Sequence, residues 1–211
     1  MAKIYISPST QEHNVGAGDY GTEEFRMNQV ADAVCSELTK YGIEWRRNKP
    51  EMTLQQVVAD SNAYGPDIHF AIHSNASANK KARGAEVHIY GKGGERERFA
   101  KIVYEKIAAL TPTADRGVFV SPHLYELAKT KAQAALIEIA FHDNPDDARF
   151  IQENIQRIGI ALAEGIREYF GVDLDYKALY EELKPRYEEA IQKLDQIRKI
   201  GGWIDGANDS Y

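Results

Sequence analysis

The sequence predicts an α/β protein: a sandwich around a mainly parallel sheet, followed by a helical C-terminal extension. Three observations lead there. Short β-branched or aromatic runs recur along the chain, longer segments of helical period lie between several of them, and the pattern changes after residue 171. The strand candidates are Ile4-Tyr5-Ile6, Ile43-Glu44-Trp45, Ile68 to Ile72, Val87 to Tyr90 and Ala135 to Ile139. A first helix carries Met27, Val30, Ala31, Val34, Leu38 and Tyr41 on one face, and a second carries Phe99, Ile102, Val103, Ile107 and Leu110. A third has its stripe at Ile151, Ile155, Ile158, Leu162, Ile166 and Tyr169. Asn144 is its expected N-cap, Pro145 suits the first helical position, Asp146 and Asp147 complement the dipole, and Gly171 is its stop. From Tyr176 to about Ile200 apolar residues recur in steps of three and four, which suits either docking on a surface or self-association through a seam. Pro185 implies a kinked helix or two shorter ones, and Gly201 to Tyr211 reads as a flexible end. The expected organisation is therefore a catalytic-size unit, 1–171, and an extension, 172–211.

Composition narrows the function classes. The 211 residues are 43% hydrophobic and carry 26 Lys plus Arg against 32 Asp plus Glu, for a formal net charge of −6. That acid excess argues against nucleic-acid binding, which uses a basic surface to displace counterions. No window approaches the roughly 18 apolar residues of a membrane helix, so membrane insertion is not expected. The only cysteine, Cys35, excludes an intrachain disulfide and a cysteine-cluster zinc site. The N-terminus turns polar too soon for a signal peptide, and the expectation is synthesis in the cytoplasm.

Ligands of a parallel α/β sheet gather where the strands end, so polar residues at those positions are the site candidates. His13 follows the first strand, His73 closes the strand from Ile68, and Glu138 stands near the end of an apolar strand. Glu23 and Glu24 open the first long helix, where acids are also expected from the dipole alone, and periodicity does not choose between them. Glu138 is the sharpest clue. A carboxylate among apolar strand residues costs several kcal/mol unless it is paired, solvated in a cleft or functional. Two imidazoles and a carboxylate suit a catalytic zinc site with one open position, and a further carboxylate then serves as general base. His69, four residues before His73, reads as structural, and His142 either lines the same cleft or opens a helix.

Taken in order, three segments resemble the zinc-dependent N-acetylmuramoyl-L-alanine amidases of the group called amidase 3. They are Ala71-Ile72-His73-Ser74-Asn75-Ala76, Arg83-Gly84-Ala85-Glu86-Val87, and Ala135-Leu136-Ile137-Glu138-Ile139-Ala140-Phe141 followed by Asn144-Pro145. The resemblance spans residues 3 to 171. It implies a three-layer sandwich, with a twisted, largely parallel sheet between helices, and one Zn2+ per chain. It also implies His73 as a metal ligand and Glu138 as the catalytic glutamate. The family's acidic ligand is followed four residues later by Asn, so Asn28 selects Glu24. The usual Asp-Pro-Gly-His-Gly-Gly loop is replaced by Ser7-Pro8-Ser9-Thr10-Gln11-Glu12-His13, leaving His13 as the first ligand and Glu12 as the fallback. The implied reaction cleaves the amide between N-acetylmuramic acid and L-alanine in peptidoglycan, with the loops at Arg116 to Val118 and Ser121 to His123 as candidates for holding the stem peptide. An endolysin-like protein that reaches the wall after release fits this reading. Two alternatives are a zinc peptidase acting on another amide and a non-catalytic wall-binding protein on the same fold.

Overall fold

The computed structural model describes residues 2–113, 116–173 and 176–200. The chain divides into two compact units, Met1–Val172 and Asp173–Tyr211. The first contains β1 (Lys3–Pro8), α1 (Glu23–Lys40), β2 (Glu44–Arg47), α2 (Leu54–Tyr64), β3 (Ile68–Asn75), β4 (Glu86–Ile89), α3 (Gly94–Ala108), β5 (Gly117–Val120), α4 (Tyr125–Lys129), β6 (Gln133–Phe141) and α5 (Pro145–Phe170). The six strands form one sheet in the order β2-β1-β3-β6-β4-β5. β2, β1, β3 and β6 run parallel to one another, and β4 pairs antiparallel with β6 and parallel with β5, so β4 and β5 form a reversed edge. The sheet is thus mixed but mostly parallel, with helices on both sides.

Strand side chains alternate between faces, and here the two faces do different work. Ile4 and Ile6 of β1, Ile68, Phe70 and Ile72 of β3, Val87 and Ile89 of β4, and Ile137 and Ile139 of β6 belong to one continuous core with the buried stripes of α1, α3 and α5. The intervening residues point the other way. Tyr5, Ser7, His69, His73, Glu86, His88 and Glu138 share the second face. Its apolar part is a small cluster of Ala71, Ala134, Leu136 and Leu127, with Leu124 packed against it.

The helix boundaries follow local chemistry. Asn144 caps α5 by accepting from the amides of Asp146 and Asp147, Pro145 fills the first turn, and Gly171 closes the helix in the left-handed region at φ 64°. The side chain of Thr22 caps α1 by accepting from the amide of Phe25. Midway along, α5 crosses α1 at Gly159, where a methyl group would stand 2.3 Å from Cβ of Ala33. Only a glycine permits that approach without displacement.

Three elements go beyond the sequence expectation. α2 starts from a Thr53–Gln56 capping box, and α4 is a five-residue helix. The segment after Arg116, expected as a loop, is the edge strand β5, because Gly117 to Val120 pair with Glu86 to Ile89. In the second unit, α6 (Tyr176–Ile200) runs as one helix that contains Pro185, rather than two. Tyr180, Leu183, Tyr187 and Leu194 are exposed on it. The expected flexible end, Gly201 to Tyr211, lies outside the described residues.

Candidate active site

The second face of the sheet builds the site by register alone. His73 on β3 pairs with Glu138 on β6, and Glu138 pairs with Glu86 on β4, so an imidazole and two carboxylates stand in one cross-strand row. A cavity of about 370 Å³ opens beside this row. Ser7, Gln11, His73, Glu126 and Glu138 are polar parts of its wall, and Pro8, Leu54, Val57, Leu124 and Leu136 are apolar parts.

Both ring nitrogens of His73 are engaged. Glu23, from the first turn of α1, puts Oε1 2.8 Å from Nδ1 of His73. That oxygen is buried and makes no hydrogen bond of acceptable geometry. An imidazole nitrogen and a carboxylate oxygen this close form an ion pair when the ring is protonated, and are of the types that ligate a cation when it is not. The other oxygen of Glu23 accepts from Asn14 Nδ2 at 2.8 Å. The same amide group donates to Gln11 Oε1 at 2.9 Å, and Gln11 Nε2 lies 3.4 Å from His73 Nδ1. On the far side, Nε2 of His73 faces Glu126 Oε2 at 3.6 Å.

The charges tune one another. Burial alone pushes the Glu23 pKa up, but His73, Asn14 and Ser9 outweigh it and hold the carboxyl below its usual range. Burial pulls the His73 imidazole down, yet Glu126 and Glu23, with help from Glu138, raise it well above its ordinary value. Glu138 has no such support. Burial raises its pKa to about 8; His73 opposes this, while Glu23 and Glu86 add to it. One oxygen of Glu138 is also buried without a hydrogen-bond partner. Glu86 is held low despite its burial by His88 and Arg116, and Asn75 donates to it at 2.8 Å.

The structure thus brings His73 and Glu138 together, but not His13 or Glu24. The His13 side chain is 93% exposed, and its near neighbour is Glu12 at 3.5 Å. Glu24 turns about 100° around the helix from Glu23, and its Oε1 accepts from Asn28 at 3.1 Å, a contact within one helical turn. Of the two acids it is Glu23 that is buried and faces His73. Glu12, the fallback, is exposed like His13 and pairs with it at 3.5 Å. Among the described residues no three His, Cys, Asp or Glu side chains form a ready-made metal cage. The donors that do converge are Glu23 and His73, with the Gln11 carboxamide beside them. An imidazole nitrogen and a carboxylate oxygen are donors that zinc takes, and they supply two of the three protein ligands a catalytic zinc carries.

Spacing in the sequence does not mark Gln11 or Glu126 as site residues, and the Asn28 spacing favours Glu24 over Glu23. Glu23 nonetheless carries a readable signal: with Met27, Val30 and Val34 it continues the buried stripe of α1. Glu126 lies between Leu124 and Leu127, an acid inside a short apolar patch.

Behind this row the site is pinned to α5. The carboxylate of Asp147, buried at that helix's N-terminus, accepts from the amides of Gly84 at 2.9 Å and Phe141 at 3.1 Å, and from Arg83 Nε at 2.8 Å. The end of β6 and the turn leading into β4 are thereby tied to one carboxylate.

A proton-holding acid beside nitrogen and oxygen donors, at the end of parallel strands, is the layout of a hydrolytic domain that handles water and a carbonyl together. Comparison with known proteins carries that class to a family. The chain belongs to the Amidase_3 family, N-acetylmuramoyl-L-alanine amidase, whose model matches residues 4–168. It is 31% identical over 137 residues to an uncharacterized Clostridium perfringens protein, covering 64% of this chain and 37% of that one. It is 27% identical over 154 residues to the germination-specific N-acetylmuramoyl-L-alanine amidase of Bacillus subtilis, covering 72% of this chain and 65% of the relative. The chain therefore spans roughly a third to two thirds of the length of these relatives. The fold is shared with the catalytic domain of CwlV, an N-acetylmuramoyl-L-alanine amidase from Bacillus (Paenibacillus) polymyxa var. colistinus. That likeness has a TM-score of 0.74 at 21% identity and covers 82% of this chain and 100% of the other.

Proposed function

We propose that this protein hydrolyses the amide joining N-acetylmuramic acid to L-alanine in bacterial peptidoglycan, with Glu138 as general base. The observation that carries the reading is the Glu138 carboxyl, raised to about 8 and in register with His73 on the wall of the cavity. A carboxyl in that range can both accept a proton from the attacking water and return it to the departing amine near neutral pH. Glu23 and His73 would hold a zinc ion, with Gln11 of the preceding loop 3.4 Å from His73 Nδ1. When bound, zinc supplies Lewis acidity toward the scissile carbonyl. The apolar side of the cavity, from Pro8, Leu54, Val57, Leu124 and Leu136, would shed water once a substrate fills it, which strengthens the electrostatic contacts there.

Family membership, the cross-strand row and the orphaned oxygens of Glu23 and Glu138 support this reading together. Action at the cell wall follows from the substrate, and release from a host cell in the manner of an endolysin is the delivery route we favour. No helix among the described residues is long and apolar enough to cross a membrane. We also propose that α6 self-associates through its exposed apolar residues. A solution mass that is unchanged by truncation after Gly171, apart from the loss of the segment, would refute that part.

The test is digestion of purified peptidoglycan, scored by new L-alanine amino groups, with and without chelator and zinc add-back. Glu138→Gln should lower the rate at least ~1,000-fold while leaving zinc binding intact, on the scale of losing a positioned general base together with its charge. Full activity in that variant would remove Glu138 from the chemistry.

A further inference from the structure

His73 is gripped from two sides, and the two grips are unlike. Its Nδ1 looks toward Glu23 and Gln11, at the start of α1 and in the loop before it. Its Nε2 looks toward Glu126, which comes from a different element and is itself anchored. Oε1 of Glu126 accepts from Ser7 Oγ at 2.5 Å and lies 3.0 Å from Nε2 of His69. His69 is in turn 2.9 Å from Ser61 Oγ on α2, and its ring stacks on Tyr5 with the centroids 5.4 Å apart. One oxygen of Glu126 is thus committed to β1 and β3, and only Oε2 remains for His73. A carboxylate fastened in this way is not free to swing toward Glu23.

Resting on the zinc reading above, we infer that Glu126 is a positioning residue. Its Oε2 stands 3.6 Å from Nε2 of His73, an ion-pair distance, and its charge favours the tautomer with the proton on Nε2, so that Nδ1 stays unprotonated and turned toward Glu23 as the metal-ligating nitrogen. Imidazole ligands generally donate their second nitrogen to a carboxylate, carbonyl or water, which fixes both tautomer and ring plane. Here that acceptor is built from a buried chain, Ser61–His69–Glu126–Ser7, that links α2, β3, α4 and β1. The same arrangement gives His69 its function: it fills and orients the back of Glu126.

Two measurements on the full chain decide the matter. Zinc ion titrated against a competing chelator should bind Glu126→Gln, which lacks the carboxylate charge, about 10- to 100-fold more weakly than the wild type, the usual cost of altering such a partner. The amide spectrum of the variant checks that it is folded. Nitrogen-15 correlation spectra of the zinc-loaded wild type need no substitution and should show His73 metallated at Nδ1 and protonated at Nε2. Equal zinc affinity in wild type and a folded Glu126→Gln would overturn the role of Glu126 and leave the zinc reading standing. Metallation at Nε2 would also overturn it, because the metal would then occupy the side assigned to the acceptor. A wild type that binds no zinc would overturn the zinc reading and this inference with it. If the variant fails to fold, the wild-type spectrum alone decides between the two nitrogens.

Discussion

Replacing Glu138 by glutamine in the metal-free protein isolates what it costs to bury this carboxylate. Its pKa is displaced from 4.5 to about 8, first by burial and then by Glu23 and Glu86, against the pull of His73. At about 1.4 kcal/mol per pKa unit the ceiling on the effect is about 5 kcal/mol. The side chain is partly open to the cavity, and solvent relaxation there reduces this to about 2 to 3 kcal/mol. The sign follows from proton linkage. The folded state binds this proton more tightly than the unfolded chain does. Its stabilising contribution is therefore complete below about pH 4.5 and is lost as pH rises through 8. Glutamine has the same shape and does not titrate, so it escapes that loss. Urea unfolding in the presence of chelator at about pH 5 and about pH 9 reads the difference. The variant should be close to the wild type at the lower pH and gain about 2 kcal/mol on it at the higher. A difference that is constant with pH, or that turns against the variant in alkali, would show that Glu138 is ionised and well paired throughout, and the reasoning would fall.

Three further outcomes are expected. Glu23→Gln should weaken zinc binding at least ~100-fold while Glu24→Gln stays within about threefold; in the loop, Gln11→Ala should cost about tenfold and His13→Ala almost nothing, all by chelator competition. Asp147→Ala leaves two backbone amides without their acceptor and Arg83 without its inner partner, and should destabilise by about 3 to 5 kcal/mol in denaturant titration. Gly159→Ala forces α1 and α5 apart and should cost about 1 to 3 kcal/mol, read as a lowered midpoint with an unchanged slope.

How much of this could be read from sequence depended on the range of the interaction. The long helices and central strands announce themselves because their patterns are local: Asn144-Pro145 opening α5 and Gly171 closing it need no tertiary knowledge. β5 is four residues at the sheet's edge, with Phe119 and Val120 exposed, and carries too little alternation to stand out from a loop. Glu138 is conspicuous because a charge inside an apolar strand demands a partner or a task. The choice between Glu23 and Glu24 turns on helix phase, and the Asn28 spacing points to a bond within one turn of α1 rather than across the site. Glu126 meets His69, His73 and Ser7 only after the chain has folded back on itself, so no spacing in the sequence encodes that meeting.

The division of the sheet into a core face and a site face has a consequence for how such a chain can change over generations. Core and site are interleaved on the same strands, one residue apart, so inserting or deleting a single residue within β3 or β6 would exchange them. His69 and His73 would turn into the packed side while Ile68, Phe70 and Ile72 faced the cavity. The strands can therefore drift only by substitution, face by face. A change of length is tolerated only in the connections, and the loop between β1 and α1, which carries Gln11, His13 and Asn14, can lengthen or shorten without exchanging the two faces.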